Sequence, residues 1–254
     1  MKVLALSLNT FREALRDKVL YSLLFFAVAM IGIALILDQI TIGERTKIIK
    51  DVGLASIALF GVMIAVFVGI GLVYKELERK TIYNLLSKPI HRYQFLLGKY
   101  CGLVMTLLVE IAIMTCALLG MLYLYDGRID YYLLPAIGMT FMELMVVTAI
   151  ALFFSSFSTP ILSGLFTLSF YVIGHLTPDL LEFGEKMQSQ FLRYFTRALY
   201  YLLPNLEYFN LRGQVVYRIP IEQEHLVLAS LYGVAYISII ILLSAIIFSR
   251  RDFK

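Results

Sequence analysis

Residues 52–99 read VGLASIALFGVMIAVFVGIGLVYKELERKTIYNLLSKPIHRYQFLLGK, an uncharged apolar run to Tyr74 followed by a charged stretch broken at Pro89. A helix needs about 20 residues to cross a hydrocarbon core of about 30 Å. The run from Val52 to Tyr74 is long enough, so it reads as a membrane span and the charged stretch as the loop that ends it. Similar apolar runs occur at Val19–Leu37, Tyr100–Tyr125, Leu133–Phe157 and Leu226–Phe248, and a shorter one at Ile161–Leu176. The expected fold is therefore all-α: a polytopic membrane protein of six transmembrane helices, forming a single transmembrane domain over residues 1–254.

Composition agrees with that reading. The chain of 254 residues is 60% hydrophobic and only 16% charged, with a mean hydropathy of +0.83, whereas soluble domains are roughly 45–50% apolar. No stretch is left for a separate soluble domain, so any large water-soluble activity is expected on a partner chain. The net charge of +4 is distributed by membrane side rather than gathered in a patch, which argues against nucleic-acid binding. Cys101 and Cys116 are expected on one helix roughly 22 Å apart, too far to pair. The first apolar run lacks a small-residue cleavage site and is expected to be a retained span.

Six spans place both ends on one side. The amino terminus, the 75–99 loop, the 155–160 turn and the tail together hold 13 Lys and Arg; the opposite side holds 9, of which 5 lie in the long segment 177–225. Cytoplasmic loops carry the excess of basic residues, so both termini are expected in the cytoplasm and the protein in the inner (plasma) membrane. Leu4, Leu8, Phe11 and Leu15 recur at helical spacing, with Arg12, Glu13, Arg16 and Asp17 around them, which predicts an amphipathic surface helix before the first span. Anchoring and contact with a partner are both open roles for it. The segment 177–225 is too amphipathic to cross the bilayer and too apolar to float free. It is expected to form short helices that dip into the outer leaflet or cap a cavity.

Within residues 75–99, Leu77, Ile82, Leu85 and Leu86 form an apolar face, Glu76, Glu78, Arg79 and Lys80 stay wet, and Ser87-Lys88-Pro89 forces a break. A short rigid helix of this kind suits transmission of a push, although a charged loop that merely stops transfer reads much the same. The series Glu76-x-Glu78-Arg79-Lys80-Thr81-Ile82-x-x-Leu85-Leu86-Ser87-x-Pro89-x-x-Arg92, followed by Gly98-Lys99, resembles the loop between the second and third spans of ABC-2 type transporter permeases. These are membrane subunits of ATP-driven exporters. Lys80 departs from the Gly that many members carry before the Thr. The likeness covers the whole layout: surface helix, six spans, outer helices between spans five and six, and a basic-Asp-aromatic tail.

That resemblance implies a homodimer of this chain paired with two copies of a separate ABC ATPase. Glu76, Glu78, Arg79, Thr81, Leu85, Leu86, Pro89 and Arg92 would then couple the chain to the ATPase. Consistently, no G-x-x-x-x-G-K-[ST] phosphate loop occurs in the sequence, so no cofactor is expected on this chain, and ATP and Mg are expected on the partner. The stretch Leu203-Pro-Asn-Leu-Glu-Tyr-Phe-Asn-Leu211 is similar to the branch linked with maturation of multicopper enzymes such as nitrous oxide reductase. An outer-side accessory protein is compatible with this layout.

Two carboxylates, Glu110 and Glu143, fall inside predicted spans. A charge at the bilayer centre costs about 2.5–3.5 kcal/mol on insertion scales, so such residues face the bundle interior or water. Substrate contact, a proton relay and structural hydrogen bonding to Thr106, Thr140 or a Tyr are the roles open to them. Met139, Met142 and Met145 recur every three residues, a spacing compatible with soft Cu(I) ligation but also with ordinary packing. His91, His175 and His225 form no metal spacing, and no residue is expected to be catalytic or to hold a metal. Three functional readings follow: an ATP-driven permease, a proton-coupled secondary transporter using Glu110 and Glu143, and a non-transporting membrane assembly factor for a metalloenzyme.

Overall fold

The protein was analysed as a computed structural model, which describes residues 2–40, 45–78, 92–186 and 189–250. All regular structure among them is helical. In order these are α1 (Lys2–Ala14), α2 (Lys18–Ile40), α3 (Arg45–Glu78), α4 (Arg92–Asp126), a 3-10 turn (Tyr131–Leu133), α5 (Leu134–Ser155), α6 (Pro160–His175), α7 (Thr177–Lys186), α8 (Gln190–Leu202), a second 3-10 turn (Leu206–Phe209), α9 (Arg212–Val216) and α10 (Gln223–Arg250). Four helices are long and apolar enough to cross a membrane, namely Thr46–Leu72, Arg92–Asp126, Tyr131–Ser155 and Gln223–Ser249, and the bent pair α6–α7 makes up to five.

Helix boundaries follow local chemistry. Asp17 Oδ1 accepts the Val19 amide at 3.0 Å and starts α2. Asp130 does the same for Tyr132 at 3.2 Å, and proline stands in the first turn of α5 and of α6. The short span expected over Ile161–Leu176 is the helix Pro160–His175. Pro178 has no amide to donate, so α6 and α7 meet at an angle of 59°, with the Thr177 hydroxyl donating to the carbonyls of Ile173 and Gly174.

Helices α3 and α5 occupy the centre, flanked by α2, α4, α6 and α10. Small residues allow the close approach: a Cβ placed on Gly61 would lie 2.4 Å from Leu144 Cδ1, and one on Gly53 would lie 2.3 Å from Leu118 Cδ1. Farther along α3, Gly69 faces Leu103. The Gly53 and Gly69 contacts run α3 antiparallel to α4 and place Gly61, which meets Leu144 of α5, level with the region of Glu110. Glu110 and Glu143 therefore lie at similar depth, as their positions within the spans imply.

The surface helix has two working faces. Leu4 is 64% exposed and Leu8 38%, which leaves the first half of the predicted apolar stripe turned outward, while Phe11 and Leu15 are half-buried. Ser7, Thr10 and Ala14 are buried instead. They seat on α4 where Gly98 and Gly102 remove side-chain bulk; a Cβ on Gly102 would lie 2.7 Å from the Ser7 carbonyl oxygen. Lys99, between these glycines, is fully buried and pairs with Glu13 of α1 at 3.6 Å.

Candidate translocation site

Three elements converge on one imidazole. His175 ends α6 at the 59° break; its Nε2 lies 2.9 Å from Glu143 Oε1 on α5, and its Nδ1 lies 3.0 Å from Glu207 Oε2 in the second 3-10 turn. Asn210, just beyond that turn, donates from Nδ2 to Glu207 Oε1 at 2.9 Å. The Tyr171 ring packs edge-on against the imidazole with centroids 4.9 Å apart. A buried carboxylate is tolerated only when paired, and this bridge supplies the pairing for Glu143.

The outer turn can reach so deep because α6 is short. Sixteen residues rise about 24 Å, less than the core thickness, and Gly174 makes room for Leu206, which a Cβ at that position would approach at 2.7 Å. Leu206 and Phe209 are completely buried. The Asn205 amide donates to the Tyr232 hydroxyl of α10 at 2.8 Å. The sequence expectation of outer helices that dip or cap thus separates into two parts. The segment 203–216 enters the bundle, whereas α8 leaves Phe191, Tyr194 and Tyr201 exposed.

A charged belt fixes the same segment from above. Arg212 grips Asp51 of α3 with two parallel bonds, Nε to Oδ1 at 2.5 Å and Nη2 to Oδ2 at 2.7 Å. Lys50 donates to Asp130, to which Arg218 also approaches at 3.4 Å. Burial pushes the Asp130 carboxyl up, but its bonds from Lys50 and the Tyr132 amide and the nearby Arg218 together hold it below the usual value. Arg218 adopts φ +54°, a left-handed conformation uncommon for a residue with a Cβ.

Of the two carboxylates expected inside the membrane, Glu143 joins this cluster and Glu110 does not. Glu110 is 1% exposed on α4, and neither of its oxygens has a hydrogen-bond partner among the described residues. Thr106, one of the partners left open for it, donates instead to its own helix at Gly102. Met142 approaches α10 at Gly233, which favours packing for the methionine stripe. No group of three His, Cys, Asp or Glu that could hold a metal occurs among the described residues. Cys101 and Cys116 are both free.

Among the expected coupling residues, Glu76 and Glu78 belong to the last turn of α3, which runs beyond the predicted span end at Tyr74. Arg79, Thr81, Leu85, Leu86 and Pro89 lie outside the described residues. Arg92 is the first residue of α4, and its Nη1 donates to the carbonyls of Phe248 at 3.0 Å and Ser249 at 2.8 Å. It therefore ties the start of α4 to the end of α10. His175 and Glu207 were missed as site residues; each partner of the imidazole is 32 positions away, beyond any local periodicity. The signal for Glu207 was its place in the motif at 203–211.

A bundle of long apolar helices enclosing a paired carboxylate is the architecture of a polytopic helical membrane protein. Over residues 4–253 the sequence matches the ABC-2 family transporter protein family, and the chain belongs to it. Membership makes it a membrane permease subunit of an ABC transporter and implies an ABC ATPase as its partner. No curated protein matches the chain.

Proposed function

We propose that this chain is the six-span permease of an ATP-driven exporter, working as a homodimer in the inner (plasma) membrane with both termini in the cytoplasm. The family match over residues 4–253 carries the proposal, because that family is one of transporter membrane proteins and the matched residues contain no phosphate loop. ATP and Mg are handled by the partner. With 23 helical residues, α2 is about 34 Å long, sufficient to add the remaining span. Glu76, Glu78, Arg79, Thr81, Leu85, Leu86 and Pro89 form the surface that engages the ATPase, and Arg92 passes displacement to α4 and α10. Glu143, with His175 and Glu207, and separately Glu110, belong to the translocation path. The resemblance of 203–211 to the branch linked with multicopper-enzyme maturation supports a role for the exporter in such maturation, with an outer-side accessory protein as a further partner.

Affinity purification from the native membrane tests this. An ATPase subunit is expected with the chain, and the paired reversals Glu78→Lys and Arg79→Glu are expected to disconnect ATP hydrolysis from transport. A chain that purifies without an ATPase, and whose activity follows a proton gradient and disappears in Glu110→Gln, is a secondary transporter instead.

A further inference from the structure

The imidazole of His175 does more than hydrogen-bond a buried acid. Side-chain exposure falls in order along the cluster, from 42% at Glu207 through 25% at His175 to 5% at Glu143. Each neighbouring pair is within hydrogen-bond distance, at 3.0 and 2.9 Å. Asn210 occupies the other Glu207 oxygen, leaving Oε2 for the ring. Histidine is the side chain that can accept a proton on one nitrogen and release one from the other, and chains of Glu and His inside membranes are characteristic of proton relays.

We infer that Glu207, His175 and Glu143 form a proton relay that connects the outer face to the interior of the bundle, so that the permease takes up a proton from outside. The transfer balances within three groups. A protonated Glu207 gives its proton from Oε2 to Nδ1, while Nε2–H passes its own proton to Glu143 Oε1. Glu207 becomes a carboxylate, Glu143 a neutral acid, and His175 remains neutral with its tautomer exchanged. The reverse transfer resets it. The titratable groups against the imidazole are Glu143 from α5, Glu207 from the 3-10 turn and Tyr171 from α6 itself. The other elements packed on α6, α3 and α7, bring no ion pair or hydrogen bond to it among the described residues. The buried end of the relay is level with Glu110, an acid that is itself shielded from water.

The relay depends on the proposed membrane orientation only for which side is called outer. Time-resolved infrared spectroscopy of the reconstituted protein after a jump in external pH tests it. A carboxylic acid band that is missing in Glu143→Gln is expected to follow the jump, and to follow it at least about tenfold more slowly in His175→Phe, which keeps a ring but loses both nitrogens. Glu207→Gln, at a half-exposed position that packing does not constrain, is expected to slow the same band and serves if His175→Phe fails to fold. A Glu143 band that ignores external pH, or that responds as fast in the variants as in the native protein, overturns the relay. Association with an ATPase is read separately, so a chain that binds its ATPase but shows no dependence on His175 loses the relay and keeps the permease reading.

Discussion

At the scale of single residues, the most consequential pair outside the bundle centre is Lys50 with Asp130. Lys50 is 4% exposed, so removing its partner strands a charge. Asp130→Ala is expected to destabilise the protein by about 3–5 kcal/mol, and Lys50→Met in the same chain to recover much of that, because a buried pair replaced by apolar groups is often neutral. Thermal unfolding in detergent of the two single variants and the double variant checks both. The carboxyl of folded Asp130 titrates below its reference of 3.8. Its contribution is therefore fully present above that reference and is lost as pH falls through the lower folded value. Hydrogen-exchange protection in 126–132 and 212–218, relative to the intrinsic rate at each pH, is expected to fall in that acid window and not between pH 5 and pH 7. None of this pairing was legible in sequence, since Lys50 and Asp130 are 80 positions apart. Glu143 was legible as a rare acid in an apolar run, whereas His175 looked like an ordinary residue at a span end until the short α6 brought it under the outer turn.

At the scale of elements, hydrophobic periodicity was sufficient to find the helices but not their ends. The span predicted from Val52 starts as a helix at Arg45, because a helix continues through polar residues once its ladder is established. Docking of α1 was also hidden. Its apolar stripe invited placement on the bilayer, but the small face of Ser7, Thr10 and Ala14 only acquires meaning beside Gly98 and Gly102. Gly102→Ala would push a methyl to 2.6 Å from Thr10 Cβ, which is expected to cost about 1–3 kcal/mol and to release α1. Faster hydrogen exchange over residues 2–14 would show the release. Gly120→Ala is the control, since nothing lies within 4 Å of a Cβ there. Arg92 belongs at this scale too: its two bonds satisfy carbonyls at the end of α10, where such groups lack helical partners. Arg92→Ala is expected to fray that end, and Arg92→Lys to restore one bond at most, read by proteolysis of the tail.

For the whole molecule, the outer segment closes one end of the bundle while the apolar flanks remain free for lipid or a second copy. Of the small residues on the first and fifth spans, Ala27 is fully buried and Gly174 holds Leu206, so neither can serve a contact between copies. Gly32 has nothing within 4 Å of a Cβ. In a background where Cys101 and Cys116 are replaced by Ser, Gly32→Cys is expected to form a crosslinked dimer under mild oxidation. Crosslinking confined to other helices would move the dimer contact away from α2. The seat that Gly98 and Gly102 provide for α1 also orders biogenesis. Leu6 meets Gly98, a residue translated 92 positions later, so at roughly 5–20 residues per second the first helix waits about 5–20 seconds at the membrane before its groove exists. During that interval the face of Ser7, Thr10 and Ala14 has no groove to enter, whereas Leu4 and Leu8 are outward both before and after docking.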